Sequence, residues 1–427
     1  MKRISSQANI LGSEDSESRV LPSLAILAPR YSTAQVVRKK EFKGELWTSS
    51  QRQMHSLHYA VSYRGSFKPE LPDFCIRRYS APGDIVLDQF SGRGTTALQT
   101  ALLGRIPYAS DANPLAALMT GAKLNPAGLD EVVLRLHEID LLRPVPLTAY
   151  QEMLSPFYHP DTYRELMNLR LAIKNKPDRI NRFIELLALS RLHGHSNGFF
   201  SVYSFPQISI PPERQNLINL KRREVPEYRS IAPRIIKKAS QVLRDSINTD
   251  LQRFSARSEV HKSDARNLHW LPSNSVDLIV TSPPFLDKVD YLTDNWLEFW
   301  FTGISPKSCQ KELVICSNIH EWRSFIRDTL REALRVIKPN SFVVFEVGEV
   351  ETDTGTVFLD EVLAEESERV IDSEKFFRVE EVLVNQQNFT KLSNCYQVAN
   401  NRKGTNTNRL VVLSAIPHRL KRSQKNS

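Results

Sequence analysis

The chain has 427 residues, of which 41% are hydrophobic and 25% charged, and carries a formal net charge of +9. This is the balance of a soluble globular chain with enough apolar residues for two or three domains, and the positive excess favours a polyanionic partner. No apolar run approaches the roughly 18 residues of a membrane span, and Glu14, Asp15 and Glu17 break any leader-like N-terminus. Cys75, Cys309, Cys316 and Cys395 are scattered without disulfide or zinc spacing, so a reducing, cytoplasmic setting is expected.

Residues 1–44 read as a flexible polar arm. From Glu45 the pattern tightens. Pro69 and Pro72 mark a turn, and Leu71, Phe74, Cys75 and Ile76 suit a short amphipathic helix. On residue type alone, Phe67-Lys68-Pro69 reads as the turn that starts it. The stretch from Gly83 to Asn113 then reads as strand, glycine turn, helix, strand. Ile85, Val86 and Leu87 suit a buried parallel strand. Gly92 and Gly94 allow a sharp turn and close approach of a ligand. Thr95 to Leu103 has helical spacing, with Gly104 placed to end it. Tyr108 to Ser110 suits a second strand, which leaves Asp111 at its carboxyl end, where an acidic side chain can hold a ribose.

Two cofactors suit this unit. Gly92-x-Gly94-x-x-Ala97 with Asp111 further on matches a dinucleotide fingerprint. S-adenosylmethionine also presents an adenosine ribose, but carries no phosphate. A phosphate-cradling loop is disfavoured, because Thr95-Thr96 follows Gly94 where Lys-Ser/Thr is required.

A helix is expected from Pro114 to Ala122, and a mostly helical segment from about 125 to 255, clearest over Arg164–Ile173 and Phe183–Leu192. Within it lies a loop rich in aromatics and prolines, followed by Lys221, Arg222, Arg223, Arg229, Arg234, Lys237, Lys238 and Arg244. Rings for stacking and cations for phosphates suit nucleic acid; a solvated helix face beside a packed loop explains them equally. His193 and His195 lack Cys or acidic partners at ligand spacing, so a loop or core pair is expected and no metal.

Strands resume near Glu259, with Asp264 just after one, and again over Ser275–Thr281. Tyr291 to Phe301 reads as one helix whose Trp296, Phe299 and Trp300 share a core face. Phe325–Ile337 is expected as a helix, Asn340 as a cap, and Phe342–Val347 as a strand. Val379–Val384 and Arg409–Leu413 should pair as the closing strands. The strand ending at Thr281 runs into Ser282-Pro283-Pro284-Phe285. Prolines donate no hydrogen bond and hold the backbone extended, so the carbonyls of Ser282 and Pro283 are free to accept from an exocyclic amino group. Accepting both N–H groups would localise the nitrogen lone pair, and Phe285 would stack on the base. A dinucleotide oxidoreductase has no use for this turn.

Together these motifs resemble the S-adenosylmethionine-dependent DNA amino-methyltransferases, which modify cytosine N4 or adenine N6. Asp88-Gln89-Phe90-Ser91-Gly92-Arg93-Gly94-Thr95-Thr96 resembles the family's D-P-F-x-G-x-G-T-T loop, and Thr281 to Phe285 its S-P-P-Y motif. Phe67-Lys68-Pro69 through Gly83-Asp84 matches its short leading motif. The resemblance implies a class I methyltransferase fold: α/β, Rossmann-like, doubly wound and mostly parallel, with an antiparallel strand near one edge. It implies S-adenosylmethionine held by Phe67, Lys68, Pro69, Asp88, Phe90, Ser91, Gly92, Gly94, Thr95, Thr96, Asp111, Asn113, Asp264 and Ala265. Ser282, Pro283, Pro284 and Phe285 would be catalytic.

The expected organisation is an arm (1–44), a first catalytic segment (45–124), a helical insert for target recognition (125–255), a second catalytic segment (256–415) and a basic tail (416–427). Lys221, Arg222, Arg223, Lys237 and Lys238 would contact DNA. A cognate restriction endonuclease is a candidate partner, and the nucleoid of a bacterium, archaeon or phage-infected cell the expected location. Gln89 replaces the family's proline and is expected to loosen the turn; Phe285 replaces tyrosine. Ser282 resembles the cytosine-N4 group. Carbon-5 methylation is disfavoured, because no cysteine follows a proline. Adenine-N6 or RNA amine methylation, a dinucleotide-dependent oxidoreductase and a non-catalytic DNA-binding protein are the rival readings.

Overall fold

The computed structural model describes residues 25–27, 40–44, 54–63, 65–205, 208–245, 247, 249–284, 290–310, 312–314, 316–352, 355–386 and 407–418. Two short strands, β1 (Ala25–Leu27) and β2 (Lys40–Gly44), come first. A sheet-and-helix unit follows, with α1 (Glu70–Tyr79), β3 (Ile85–Asp88), α2 (Thr95–Leu102), β4 (Ile106–Asp111) and α3 (Pro114–Leu124). The next stretch is helical: α4 (Leu129–Glu138), α5 (Pro160–Asn175), α6 (Arg179–Leu189), α7 (Pro212–Arg222), α8 (Ile231–Val242) and α9 (Thr249–Ser255). Then come β5 (Glu259–Lys262), β6 (Val276–Thr281), α10 (Tyr291–Asp294), α11 (Trp296–Thr302), α12 (Pro306–Gln310), α13 (Ile319–Val336) and β7 (Ile337–Val347). A hairpin of β8 (Glu349–Thr352) and β9 (Gly355–Phe358) precedes α14 (Leu359–Glu368), β10 (Lys375–Gln386) and β11 (Thr407–Pro417).

The main sheet runs β1-β2-β10-β11-β7-β6-β3-β4-β5. From β7 to β5 all neighbours are parallel, and β11 is antiparallel to both β7 and β10. This is the expected class I methyltransferase fold, with its reversed strand inside one edge. Alternation builds both faces. Val86, Leu278, Val280, Val344 and Val412 pack against Leu71, Cys75 and Ile76 of α1. Their neighbours Leu87, Ile279, Val343, Phe345 and Leu413 pack on the other face, against Trp322, Phe325 and Leu330 of α13 and Leu363 of α14.

Several local expectations shift. The helix read as continuous from Tyr291 breaks at Asn295, whose side-chain nitrogen donates to the Tyr291 carbonyl at 2.8 Å. Asn340 is not a cap: it lies inside β7, with φ +63°. Asparagine tolerates that left-handed region better than most residues, so the strand bends there instead of starting later. Among the described residues no helix is long and apolar enough to cross a membrane. Cys75, Cys309 and Cys316 are free thiols; Cys395 lies outside the described residues.

The cofactor-loop helix α2 begins at Gly94, with φ +75°. A Cβ there would lie 3.0 Å from Thr120 Cα and 2.7 Å from the Thr120 hydroxyl on α3. Gly94→Ala therefore meets both a left-handed backbone penalty and a steric one. It should lower the unfolding free energy by more than about 1 kcal/mol in a urea titration. An unchanged midpoint would refute the close approach of α2 and α3.

Candidate active site

Parallel pairing puts the ends of β3, β4 and β6 on one edge of the sheet. Their loops surround a cleft of about 810 Å³, counting its open mouth. Gly92, Asp111 and Ser282 all line it.

Asp88 closes β3 and is 1% exposed. Thr281, which closes β6, donates its hydroxyl to Asp88 Oδ1 at 2.6 Å, and the Phe90 amide donates to the same oxygen at 3.1 Å. Burial pushes the Asp88 carboxyl up to about 6, against the hydrogen bonds from Thr281 and Phe90. Gly92 turns at φ +49°. Its amide donates to Asp111 Oδ2 at 2.9 Å, and the Asn113 amide to Asp111 Oδ1 at 2.8 Å. Burial pushes Asp111 likewise to about 6. Each Asp111 oxygen keeps a second lone pair for a ligand hydroxyl. Lys123, buried on α3, donates to the Arg93 carbonyl at 2.5 Å, and Arg93 donates to the Phe67 carbonyl at 3.3 Å. These bonds bring Phe67 to the loop.

The Ser282 turn is held from two sides. Trp322 Nε1 donates to the Pro284 carbonyl at 3.0 Å, and Ser282 Oγ donates to Glu346 Oε2 at 2.6 Å. Asn408 donates to the other Glu346 oxygen. With its proton committed to Glu346, the Ser282 hydroxyl has only acceptor capacity left for the cleft.

Of the sequence-picked residues, Phe67, Phe90, Ser91, Gly92, Thr95, Asp111, Asn113, Asp264, Ala265, Ser282 and Pro284 line the cleft. Asp88, Gly94, Thr96 and Pro283 stand behind its wall; Thr96 Oγ1 donates to the Val280 carbonyl at 3.3 Å. Lys68 and Pro69 lie at the start of α1, where Pro69 is the N-cap, as their residue types alone suggested. Phe285 lies outside the described residues. Gln89 departs from expectation. Instead of loosening the turn it is fully buried, and its amide nitrogen donates to the Ala265 carbonyl at 3.2 Å, strapping the two loops together.

The sequence reading missed Tyr63 and Tyr291, which stack at 5.7 Å and 18° and both line the cleft. Tyr63 accepts from Asn113 Nδ2 at 2.8 Å. No motif or periodicity marks them. Glu346 was also missed, although a lone acid in the apolar run Phe342–Val347 was a readable signal.

Lys221, Arg223 and Lys237 are exposed. Arg222 lies 3.9 Å over the Tyr203 ring and pairs with Glu224 at 2.7 Å. Lys238 must be corrected. It is 8% exposed and donates to the Tyr59 carbonyl at 2.8 Å. Helical phase explains this, because 238 shares the buried face of Ile231, Ile235, Ala239 and Val242. His193 is also internal, bonded to Glu298 at 2.9 Å. Among the described residues no group of three His, Cys, Asp or Glu side chains is placed to hold a metal.

The lining tests the two cofactor readings. Phe90, Leu313, Val314 and Phe325 give apolar surface for a purine. Buried Ser91 Oγ has no protein partner and is open to a polar ligand atom. Asp111, Asp264 and Glu312 are acidic, and no Lys or Arg lines the cleft among the described residues. A pyrophosphate calls for cations or free amides; a sulfonium and an α-ammonium call for anions. The residues fit S-adenosylmethionine and not a dinucleotide.

The DNA methylase family profile N6_N4_Mtase matches residues 15–115, the segment that contains the cofactor loop. The type II methyltransferase M.MjaII of Methanocaldococcus jannaschii is 32% identical over 80 residues, covering 19% of this chain and 15% of that protein. The segment that carries the cofactor loop is similar to DNA methylases. A second relative, the type II methyltransferase M.BsoBI of Geobacillus stearothermophilus, is 20% identical over 330 residues, covering 69% of this chain and 62% of that protein. The chain thus spans less than two thirds of the length of either relative. The solved structure of TrmN from Thermus thermophilus is 15% identical, with 83% of this chain and 50% of that chain covered and a TM-score of 0.31. S-adenosylmethionine is the cofactor that accompanies this family.

An Asp111 carboxyl raised to about 6 takes up a proton as the pH falls through that value, and loses the charge that attracts a cationic ligand. S-adenosylmethionine affinity, measured by calorimetry, should therefore weaken between pH ~7 and ~5, by up to about tenfold per unit for one obligatory ionisation. Asp111→Asn should bind weakly already at neutral pH, with a shallower profile. Wild-type affinity in that variant would remove Asp111 from the site.

Proposed function

We propose that the protein is a site-specific DNA methyltransferase that transfers the methyl group of S-adenosylmethionine to the exocyclic amine of an extruded base, cytosine N4 in preference to adenine N6. The observation that carries this reading is the single cleft lined by both Gly92 and Ser282. The donor turn and the amine-accepting turn face one another, as an in-line transfer needs.

When bound, the cofactor supplies an electrophilic methyl group on a positively charged sulfur. Gly92 and Thr95 line the methionine end, with the unpartnered Ser91 hydroxyl beside them. Asp111 accepts from the ribose hydroxyls, and Asp264 with Ala265 meets the adenine. The Ser282 hydroxyl, fixed as an acceptor by Glu346, and the Ser282 carbonyl would receive the two N–H groups of the target amine. Its lone pair is then aimed at the methyl carbon. Transfer would form the N–C bond as the C–S bond breaks, with sulfur keeping the electron pair and one amine proton passing to solvent water. Holding these groups in line supplies the rate gain without a covalent intermediate.

Ser282 supports cytosine, because adenine-modifying members of the family commonly carry Asp or Asn there. The segment from 125 to 255, with exposed Lys221, Arg223 and Lys237, is assigned to target recognition. Lys238 is not part of that surface.

Mass spectrometry of nucleosides from cells expressing the protein should reveal N4-methylcytosine in DNA. N6-methyladenine would move the assignment to the other amine, and a methylated amine only in RNA would overturn the DNA reading. Ser282→Ala should leave S-adenosylmethionine binding intact and lower kcat by roughly 10²-fold, the scale of losing one positioned polar contact in the transition state. Full activity would clear the turn of a catalytic role.

A further inference from the structure

Helix α7 is built inside out. Its buried face is polar: Gln215 is fully buried and donates to the Tyr203 carbonyl at 2.8 Å, and Asn219, 9% exposed, donates to the Pro156 carbonyl at 2.7 Å. Among the polar residues of its outer side stand two leucines, Leu217 at 67% and Leu220 at 75% exposure, with Val225 just beyond the helix at 78%. An ordinary surface helix turns its leucines inward and its amides outward. Apolar side chains gathered on the outside mark a surface that something covers.

Two observations say what covers it. Exposed cations outnumber exposed acids beside the patch, with Arg214, Lys221, Arg222 and Arg223 against Glu213 and Glu227. Arg223 is the C-cap of α7, in the left-handed conformation that commonly ends a helix, φ +53°. A second copy of this chain would bring the same cations and a net charge of +9 against them, whereas a polyanion is attracted. The helix that carries the patch is also tied to the segment after the Ser282 turn. The segment leading into α7 is bonded to α10 and α11, the helices that follow the Ser282 turn. The Ser209 amide donates to the Asp294 carbonyl at 2.7 Å, and Trp296 Nε1 donates to the Ile210 carbonyl at 2.9 Å.

We propose that Leu217, Leu220 and Val225 form an apolar wedge that enters duplex DNA beside the target base, while Arg214, Lys221 and Arg223 take the flanking phosphates. The inference rests on the DNA-methyltransferase reading above. Extruding a base costs stacking and leaves an apolar gap, and branched aliphatic side chains fill such a gap at low ordering cost. The cations secure the backbone on either side. Turning polar amides inward leaves the leucines free for this use.

The test is a triple variant, Leu217→Ser, Leu220→Ser and Val225→Ser, with every cation kept. The probe is a short duplex bearing the sequence that the wild-type protein methylates in cells, with 2-aminopurine in place of the target base. Loss of stacking brightens this fluorophore. The triple variant should bind S-adenosylmethionine like wild type, keep the salt dependence of DNA binding, lose the fluorescence rise and bind the duplex at least about tenfold more weakly. Its affinity for the matching single strand should fall far less. Leu217→Glu alone, which brings a negative charge to the phosphates, should weaken duplex binding on its own. Wild-type fluorescence and affinity in both variants would overturn the wedge. So would a sedimentation run in which the serine variant dissociates a wild-type dimer, since the face would then join copies of the chain. If the wild-type protein methylates no DNA, the underlying reading has failed before any variant is made.

Discussion

A buried hydrogen bond between the ends of two neighbouring strands holds the active cleft together. Thr281 Oγ1 and Asp88 Oδ1 are 2.6 Å apart, and the two residues lie 193 positions apart in the chain. One residue further on, each strand enters a functional loop. The bond therefore fixes the distance from the glycine turn to the Ser282 turn, independently of everything inserted between them. A carboxylate this deeply buried is costly, as its raised pKa shows, and the Thr281 hydroxyl and Phe90 amide that donate to it offset that cost. The Gln89 strap to Ala265 and the Glu346 anchor on Ser282 complete the frame.

Much of this frame was legible in the sequence because its chemistry is local. Gly92 and Gly94 announce a turn that other residues resist, and Pro283-Pro284 announce a backbone that cannot donate. Short apolar runs gave β3 and β6 because both sheet faces are covered. What was not legible depended on phase or on distant partners. Lys238 belongs to a basic run by composition but to the core by its position on α8. Asn295 divides a pattern that looked continuous, because its amide closes on Tyr291. Tyr63 and Tyr291 are separated by more than half the chain, and only the fold brings their rings together. Gln89 looked like a defect because its partner, the Ala265 carbonyl, comes from another strand end.

The charge of the molecule is divided by depth. The chain as a whole is positive, and exposed cations gather on α7 and the turn after it, while the described lining of the cleft carries carboxylates and no cation. A long polyanion is drawn to the outer surface, and a small cationic donor is drawn to the bottom of the cleft. The two substrates of the proposed reaction have opposite charges, so each is excluded from the other's place. The buried amides and exposed leucines of α7 extend the same division to hydrophobicity.

The helical region also shares its interior with the sheet. Leu98 and Ala101 of α2, Met119 of α3, Phe183 and Leu187 of α6 and Phe299 of α11 belong to one continuous apolar cluster. A graft from another protein across this region would have to match that interior side chain by side chain, since packed cores tolerate volume errors poorly. On the proposed assignment of target choice to this region, descendants of this sequence would change their preferred target more readily by point changes on the outer turn of α7 than by exchanging whole modules.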